Sequence, residues 1–178
     1  MAVLTAAVIV IGILCLTDLL LTFGVIRRLR EQSAIHGGAS AAELSVSGLD
    51  AGETPGQFAG VSTSGEQVTG PAGFRLVAFF SSWCSVCPKR VPVFVDYIQA
   101  NQVGHDSVLA VVTGSDAEPV PYLGRLAEVA QVCVEPDDGD LAMAFKVTGY
   151  PAFCLLDADG ALLAVSHYPD ALPTPVAV

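Results

Sequence analysis

Two cysteines separated by two residues, Cys84 and Cys87, closely follow an almost unbroken apolar run from Phe74 to Phe80. An apolar run of this length is typical of a strand buried on both faces, and the residues after it predict a helix from about Ser85 to Asn101. Cys84 would then lie at a helix N-terminus, where unpaired backbone N–H groups and the helix dipole favour a thiolate. Such a position lowers the pKa of a cysteine from ~8.5 to between ~3.5 and ~7.5. Cys87, one turn further on, is more enclosed and close enough to form a disulfide with Cys84, so the pattern predicts a redox switch.

Two stretches of the sequence resemble motifs of the thioredoxin superfamily. The stretch from Trp83 to Cys87, with Pro92 five positions later, is similar to the active-site helix of that family. Residues Val147 to Phe153, followed by an apolar strand and Asp157 to Gly160, resemble its cis-proline loop and terminal hairpin. The similarity covers roughly Thr54 to Ser166 and is greatest to the membrane-anchored TlpA-like and MauD-like thiol–disulfide oxidoreductases.

The resemblance implies an α/β fold, with a thioredoxin-like mixed sheet flanked by helices and an added N-terminal β-hairpin. It implies that Cys84 is the nucleophile and that Cys87 resolves the mixed disulfide. The peptide bond before Pro151 would be cis, and the backbone beside it would pair with an incoming peptide. Tyr150 would then contribute to selectivity, and Trp83 would form a lid and docking surface, although a packing role alone is the alternative. We therefore expect Trp83, Tyr150 and Pro151 to bind substrate.

The rest of the domain alternates strand-like and helix-like patterns, which favours a mixed sheet with helices on both faces. Pro92 is expected to kink the helix that carries the cysteines, because proline removes a backbone donor and clashes with the preceding turn. The other predicted elements are short strands near 55–58 and 64–68, a strand at 107–113, a helix in the second half of 116–130, a strand at 132–134, a helix at 137–145 and a hairpin of 152–156 with 161–166.

Two features depart from the family pattern. Thioredoxin has a buried acidic residue six positions before its first cysteine, and Ala78 occupies that position here, which leaves no obvious internal base for the resolving thiol. The family domain usually ends in a helix over one sheet face, whereas the stretch 167–175 contains three prolines and cannot form one. We expect either an open face that a partner covers or a less stable domain.

The N-terminal segment from Ala2 to Ile26 is nearly all apolar, and its length of about 25 residues is enough to cross a bilayer of ~30 Å as a helix. No positive residue precedes it and no small-x-small site closes it cleanly, which favours a membrane anchor over a cleaved signal peptide. Asp18 is the polar exception in this segment. Its carboxyl would be protonated, would bond Thr22, or would face a partner helix.

The side of the membrane on which the domain lies is predicted differently by two arguments. Arg27, Arg28 and Arg30 follow the apolar segment, and the positive-inside rule then places the domain in the cytoplasm. The resemblance implies the opposite, because anchored relatives of this kind usually work outside the cytoplasmic membrane, and we expect a single-pass protein with an extracytoplasmic domain. The predicted organisation is a membrane anchor and basic flank at 1–30, a flexible linker at 31–53, a thioredoxin-like domain at 54–166 and an irregular proline-rich tail at 167–178.

Composition limits the remaining functions. The 178 residues, 52% of them hydrophobic, are enough for one domain with a core and an appended segment. A net charge of −10 argues against a nucleic-acid partner. The other cysteines are predicted to be small buried hydrophobic residues: Cys15, Cys133 and Cys154. The isolated histidines and two basic residues are predicted to lie on the surface without a role: His36, His105, His167, Lys89 and Arg90.

These observations predict a membrane-tethered dithiol–disulfide oxidoreductase that acts on protein disulfides or thiols, with a membrane or soluble thiol as electron donor or acceptor and with no cofactor or metal. The dipeptide between the cysteines does not fix the reduction potential, so the direction of electron flow stays open. A peroxiredoxin-like peroxide reductase is an alternative, although Val77 and Ser81 occupy the proline and threonine positions of that family's motif. A metal-delivery module that uses both cysteines and a histidine is a further alternative.

Overall fold

The structure is a computed structural model that describes residues 46–114 and 120–175, together with Gly12. Apart from Gly12, these residues belong to one compact unit that begins at residue 44. The predicted membrane anchor at 2–26 lies outside the described residues, except for Gly12. In the part of the chain that is described, no helix combines the length and the hydropathy needed to cross a membrane.

The central strand, β3, spans Leu76–Ser81, and all six of its residues are buried. Because side chains alternate between the faces of a strand, β3 contributes to two separate cores. Leu76, Ala78 and Phe80 belong to one hydrophobic cluster, whereas Val77 and Phe79 belong to the other. This arrangement explains why the sequence of the strand shows an apolar run and no alternation.

Four further strands extend the sheet on both sides of β3. Strands β4 (Val108–Thr113) and β5 (Gln131–Glu135) continue it in parallel. Strand β6 (Ala152–Leu156) is antiparallel to β3 and forms a hairpin with β7 (Leu162–Ser166). Within the described ranges the order is therefore β5–β4–β3–β6–β7, and the predicted mixed sheet is confirmed.

One face of the sheet packs against two helices, α1 (Cys87–Ala100) and the short α2 (Leu123–Ala127). Helix α1 agrees with the predicted helix to within two residues, and it continues through Pro92. Its buried side chains recur at helical spacing along one stripe: Cys87, Val91, Phe94, Val95 and Ile98. This stripe fixes the rotation of the helix, and it directs the side chain of Cys87 into the core.

The other face packs against the N-terminal hairpin, which consists of β1 (Phe58–Val61) and β2 (Gln67–Gly70), and against helix α3 (Asp140–Ala144). The hairpin is the one predicted from the sequence, although both strands begin three residues later than expected. The ring of Phe145, just after α3, lies 5.8 Å from the ring of Phe58 and 5.1 Å from that of Phe79. Aromatic pairs at such distances connect hairpin, helix and sheet.

Residues 46–53, which the sequence assigns to the linker, lie against the domain. Val46 and Leu49 are buried in the second cluster, and Ser47 Oγ donates a 2.6 Å hydrogen bond to the carbonyl of Phe145. Gly52 N–H donates to the carbonyl of Leu162 at 2.7 Å. Part of the predicted linker therefore packs on the domain that is predicted to begin at Thr54. Backbone hydrogen bonds hold much of this segment, and a side-chain pattern does not report such bonds.

The tail also packs on the domain. Pro169–Ala171 form a single 3-10 turn, and Leu172 is buried in the same cluster as α1. Tyr97 in α1 donates a 2.7 Å hydrogen bond from its hydroxyl to the carbonyl of Pro173. As predicted, residues 167–175 contain no α-helix, but they contribute to the core on this face, which the sequence did not indicate.

Candidate active site

The two cysteines lie where the central strand passes into the first helix. Strand β3 ends at Ser81, whose carbonyl accepts a 3.1 Å hydrogen bond from the N–H of Cys84. Cys87 is the first residue of α1. Cys84 and Cys87 form a disulfide with 5.4 Å between their Cα atoms. The turn between strand and helix therefore holds the cysteines at a separation that allows the bond to form and break without movement of the helix.

The two sulfurs have different environments. Cys87 is fully buried, with 0% of its surface exposed, whereas Cys84 is partly exposed. The sulfur of Cys84 accepts a hydrogen bond from the N–H of Cys87, with 3.1 Å between nitrogen and sulfur. This N–H is one of the donors that a helix leaves unpaired at its start, and no described side chain caps α1. After reduction the same N–H would stabilise a thiolate at Cys84 and not at Cys87.

The loop before β6 lies at the same end of the sheet as the cysteines. Strands β3 and β6 pair in a register that sets Phe79 opposite Ala152, so its continuation sets Tyr150 opposite Ser81. The peptide bond between Tyr150 and Pro151 is cis, as the resemblance implies. Pro151 is buried and Tyr150 partly exposed.

Burial raises the pKa of the Tyr150 hydroxyl, and a hydrogen bond from the side chain of Thr113 lowers it by less. The hydroxyl of Tyr150 therefore stays protonated at neutral pH.

Trp83 is 64% exposed although it is large and apolar. Trp83 directly precedes Cys84 in the chain. Its backbone N–H donates a 3.3 Å hydrogen bond to the hydroxyl of Ser81. Val86, on the other side of Cys84, is also exposed. An exposed apolar surface next to a reactive group is typical of a contact site. The substrate-binding roles of Trp83, Tyr150 and Pro151 remain predictions.

Two residues of the tail lie beside these elements, and the sequence assigned a role to neither. His167 Nδ1 is 2.8 Å from the carbonyl oxygen of Pro151, and the guanidinium carbon of Arg90 lies 4.2 Å from the ring centre of Tyr168. His167, predicted to be a surface residue without a role, is partly buried and contacts the cis-proline loop. The signal that could have found this contact is the register of the predicted hairpin, because Phe153 pairs with Ser166.

Ala78 occupies the position of thioredoxin's buried acid. It is fully buried on the face of the sheet that α1 and α2 cover. A different buried carboxyl, Glu135, ends β5 two strands away, a spacing of about 10 Å. Its oxygens accept hydrogen bonds from the N–H groups of Leu141 at 3.0 Å and Ala142 at 2.8 Å. Desolvation raises the pKa of Glu135 in spite of these bonds. This carboxyl therefore accepts hydrogen bonds from two N–H groups in the first turn of α3.

Cys133 and Cys154 are buried free thiols in the second cluster, as predicted, and Cys15 lies outside the described residues. Burial raises the pKa of Cys133 to about 11, with a smaller contribution from the charge of Glu135. Burial alone raises the pKa of Cys154 to about 12. Both thiols therefore stay protonated and unreactive at neutral pH.

No protein-family model matches the chain, and no curated protein is similar enough to match it. Solved structures do match it. A thiol:disulfide interchange protein from Bacteroides sp. is 21% identical with a TM-score of 0.54, covering 68% of this chain and 84% of that one. A secreted disulfide oxidoreductase from Mycobacterium tuberculosis is 21% identical with a TM-score of 0.50, covering 67% and 89%. The thioredoxin domain of a thiol-disulfide oxidoreductase from Bacteroides vulgatus is 20% identical with a TM-score of 0.50, covering 66% and 88%.

These neighbours are all thioredoxin-fold proteins, and at this level of identity the similarity establishes the fold alone. The predicted architecture is thus confirmed at this coarser level. The described part of the chain has a thioredoxin-like α/β fold in which a Cys-x-x-Cys pair forms a disulfide at the start of the first helix.

Proposed function

We propose that this chain is a membrane-tethered thiol–disulfide oxidoreductase that exchanges disulfides with protein substrates through Cys84 and Cys87. The observation that carries the proposal is the asymmetry of the pair. The accessible sulfur accepts a hydrogen bond from a helix N-terminal N–H, while its partner sulfur is fully buried. A nucleophile has to meet a substrate and a resolving thiol has to be shielded from one, and the two cysteines differ in this way.

In the reducing direction the Cys84 thiolate attacks one sulfur of a substrate disulfide. A bond forms between Cys84 and that sulfur, the substrate S–S bond breaks, and the other substrate sulfur leaves as a thiolate with the electron pair. Cys87, as a thiolate, then attacks Cys84, so that the Cys84–Cys87 disulfide forms and the second substrate thiolate leaves. Two electrons pass from the cysteine pair to the substrate. The reverse sequence oxidises a substrate dithiol.

The proton of Cys87 has to leave before the second step. Because Ala78 replaces the buried acid of thioredoxin, this proton passes to water or to the departing substrate thiolate, which gains a proton on release. A thiol electron donor, in the membrane or in solution, returns the pair to the dithiol state when the protein acts as a reductant.

Trp83, Tyr150 and Pro151 form the substrate-binding part of the proposal. Trp83 offers an exposed ring beside the reactive sulfur. Tyr150 and Pro151 belong to the loop that leads into β6. This loop lies at the end of the sheet where β3 leads to Cys84. An extended peptide that pairs with this loop would bring its own cysteine to Cys84.

The membrane tether is proposed from residues 2–26, whose apolar composition is sufficient for one span. The domain would then lie on the extracytoplasmic side, as in the TlpA-like and MauD-like proteins that the motifs resemble. The three arginines after the span argue for the cytoplasmic side, and this conflict makes localisation the first property to test in cells.

The proposal is tested by reduction of insulin with the detergent-solubilised full chain and a thiol donor. Wild type is expected to accelerate precipitation of the insulin B chain, and Cys84→Ser is expected to abolish the acceleration. Cys133→Ser and Cys154→Ser are matched controls, because each also removes one thiol and neither thiol is accessible. Equal loss in all three variants, or an inactive wild type, would reject the assignment of the pair.

A further inference from the structure

The side chain of His167 fixes part of the loop that carries the cis peptide bond. Its Nδ1 lies 2.8 Å from the carbonyl oxygen of Pro151, and because a carbonyl can only accept, Nδ1 carries the hydrogen and donates it. The ring also lies close to Gly149, where an added Cβ would be 3.4 Å from its Cε1 atom. His167 therefore bonds the loop after Tyr150 and leaves little room for a side chain at position 149 before it.

The loop needs such a contact because the ladder between β3 and β6 ends before it. The last pair of that ladder is Phe79 with Ala152, so Tyr150 and Pro151 lie beyond the paired residues. Pro151 also has no N–H with which to pair. The hydrogen bond from His167 gives the Pro151 carbonyl a partner and fixes the direction in which the loop leaves the sheet.

His167 is itself held in place by the residues that follow it. The ring of Tyr168 stacks with Arg90, which lies one turn after Cys87 in α1. Further along, Leu172 is buried in the cluster that contains α1. The carbonyl of Pro173 accepts a hydrogen bond from the hydroxyl of Tyr97 in that helix. The segment 167–173 thus connects the cis-proline loop to the helix that carries the cysteines.

We propose that His167 is a positioning residue for peptide substrates of the exchange reaction, an inference that rests on the proposed function. His167 forms and breaks no bond in the reaction. Through Pro151 it holds the backbone of the loop at the distance from Cys84 that an extended peptide needs. A displacement of about 1 Å in such a site can lower a rate by about 10²-fold, so one hydrogen bond to the loop can affect a peptide strongly.

A peptide disulfide and a small disulfide distinguish this role from a structural one. A peptide has a backbone that can pair with the loop, whereas dithionitrobenzoate reacts at Cys84 without a backbone. Loss of the contact should therefore lower the ratio of kcat/KM for the peptide to kcat/KM for dithionitrobenzoate. General destabilisation of the domain would lower both values together and leave the ratio unchanged.

The experiment compares wild type, His167→Asn and His167→Leu in the full chain. Asparagine carries an amide nitrogen at the position of Nδ1 and can donate to Pro151, whereas leucine has a similar size and no donor. We expect His167→Leu to lower the ratio by roughly two- to tenfold, which corresponds to one net hydrogen bond. The change should appear as a higher KM for the peptide. We expect His167→Asn to keep the ratio within about twofold of wild type.

Equal ratios in all three proteins, or equal losses in both variants, would overturn the role of His167. If His167→Leu does not fold, His167→Gln replaces it, because its amide lies one carbon further out and cannot reproduce the Nδ1 donor. A wild type that reacts with neither disulfide rejects the proposed function. A wild type that reacts with both, together with variants that keep its ratio, rejects the His167 inference alone.

Discussion

The N–H of Cys87 donates a hydrogen bond to the sulfur of Cys84 across 3.1 Å, although the two residues are also joined by a disulfide. Under the proposed function, one residue thus supplies both the resolving sulfur and a donor that would stabilise the attacking one. The donor belongs to the backbone, so substitution of the Cys87 side chain leaves it in place. The two contributions of Cys87 can therefore be separated by experiment.

The first prediction concerns the reactivity of the reduced thiols. At about pH 7 the sulfur of Cys84 should be alkylated by iodoacetamide much faster than the buried Cys133 and Cys154, because Cys84, unlike these two, combines exposure with a helix N–H donor. The pH profile of its alkylation should give a pKa below the usual ~8.5. Mass spectrometry of peptides after timed quenching measures each site. Alkylation of Cys133 at the rate of Cys84 would contradict the assignment.

The second prediction uses the separation described above. Cys87→Ser should accumulate a mixed disulfide between Cys84 and its natural partner, because the resolving thiol one turn away is lost while the N–H donor remains. The adduct should migrate as a larger band on non-reducing gels and disappear with dithiothreitol. Its mass spectrum would identify the partner.

The control for this trap is the double variant Cys84→Ser, Cys87→Ser, which should form no adduct. If Cys87→Ser forms none either, although Cys84 reacts readily with iodoacetamide, exchange with protein substrates is the wrong function for the pair.

The third prediction concerns the side of the membrane. If the domain is extracytoplasmic, a membrane-impermeant maleimide should label reduced Cys84 in intact cells or spheroplasts, and Cys84→Ser should lose that label. Labelling that requires lysis would place the domain in the cytoplasm, as the three arginines after the span predict. Cytosolic thioredoxin would then become the natural electron source.

The fourth prediction concerns Glu135, which accepts the N–H groups of Leu141 and Ala142. Glu135→Ala leaves both donors buried without an acceptor and should lower the free energy of unfolding by at least about 2 kcal/mol. Glu135→Gln keeps one acceptor oxygen and should cost less. Urea unfolding followed by circular dichroism measures both, and equal stability of Glu135→Ala and wild type would contradict the role assigned to this carboxyl.

The pH dependence of the same comparison has a definite sign. Burial raises the pKa of Glu135 in the folded state, so the folded protein binds this proton more tightly than the unfolded chain. Its contribution to stability is present at low pH and is lost as the pH rises through the folded pKa. The free energy of unfolding of wild type minus that of Glu135→Gln should therefore be larger at about pH 4 than at about pH 7. The opposite order would show that ionisation of Glu135 is favoured by folding.

The fifth prediction concerns alkaline pH. Burial raises the pKa values of Cys133 and Cys154 from 9.0 to about 11 and about 12. Above about pH 9 the unfolded chain loses these protons and the folded chain keeps them, so the free energy of unfolding should fall by up to about 1.4 kcal/mol per pH unit for each thiol. Cys154→Ala should show a shallower decline between about pH 9 and pH 11 than wild type. An unchanged slope would show that the thiol of Cys154 titrates normally.

The elements that sequence reasoning located best are those bounded by strong local signals. Strand β6 was predicted with its observed ends, Ala152 and Leu156, because Pro151 precedes it and the turn at Asp157–Gly160 follows it. Helix α1 was located from the cysteine motif and from its apolar stripe. In both cases the residues that determine the element lie within a few positions of it.

The features that the sequence did not reveal depend on contacts between distant parts of the chain. Ser47 donates a hydrogen bond to Phe145, 98 residues away, and the residues around Ser47, assigned to a flexible linker, gave no indication of that contact. The bond from His167 to Pro151 requires the register of a hairpin that was predicted only approximately. Glu135 ends a strand, and its two partners belong to a helix whose predicted start was three residues too early. Long-range pairing decided each of these positions.

The residues that precede the central strand also protect the sides of the sheet. At β5, Thr63 N–H donates to the carbonyl of Val132, and at β7, Leu162 exchanges backbone hydrogen bonds with Gly52 and Glu53. Unpaired strand edges recruit other chains into intermolecular sheets. A chain shortened to begin near Arg75 would keep both cysteines, the cis-proline loop and the five strands of the sheet. It would expose the outer edges of β5 and β7, because their partners at Thr63, Gly52 and Glu53 would be missing. Such a fragment should self-associate, and the hairpin and the stretch before it thereby keep the sheet of one chain from pairing with the sheet of another.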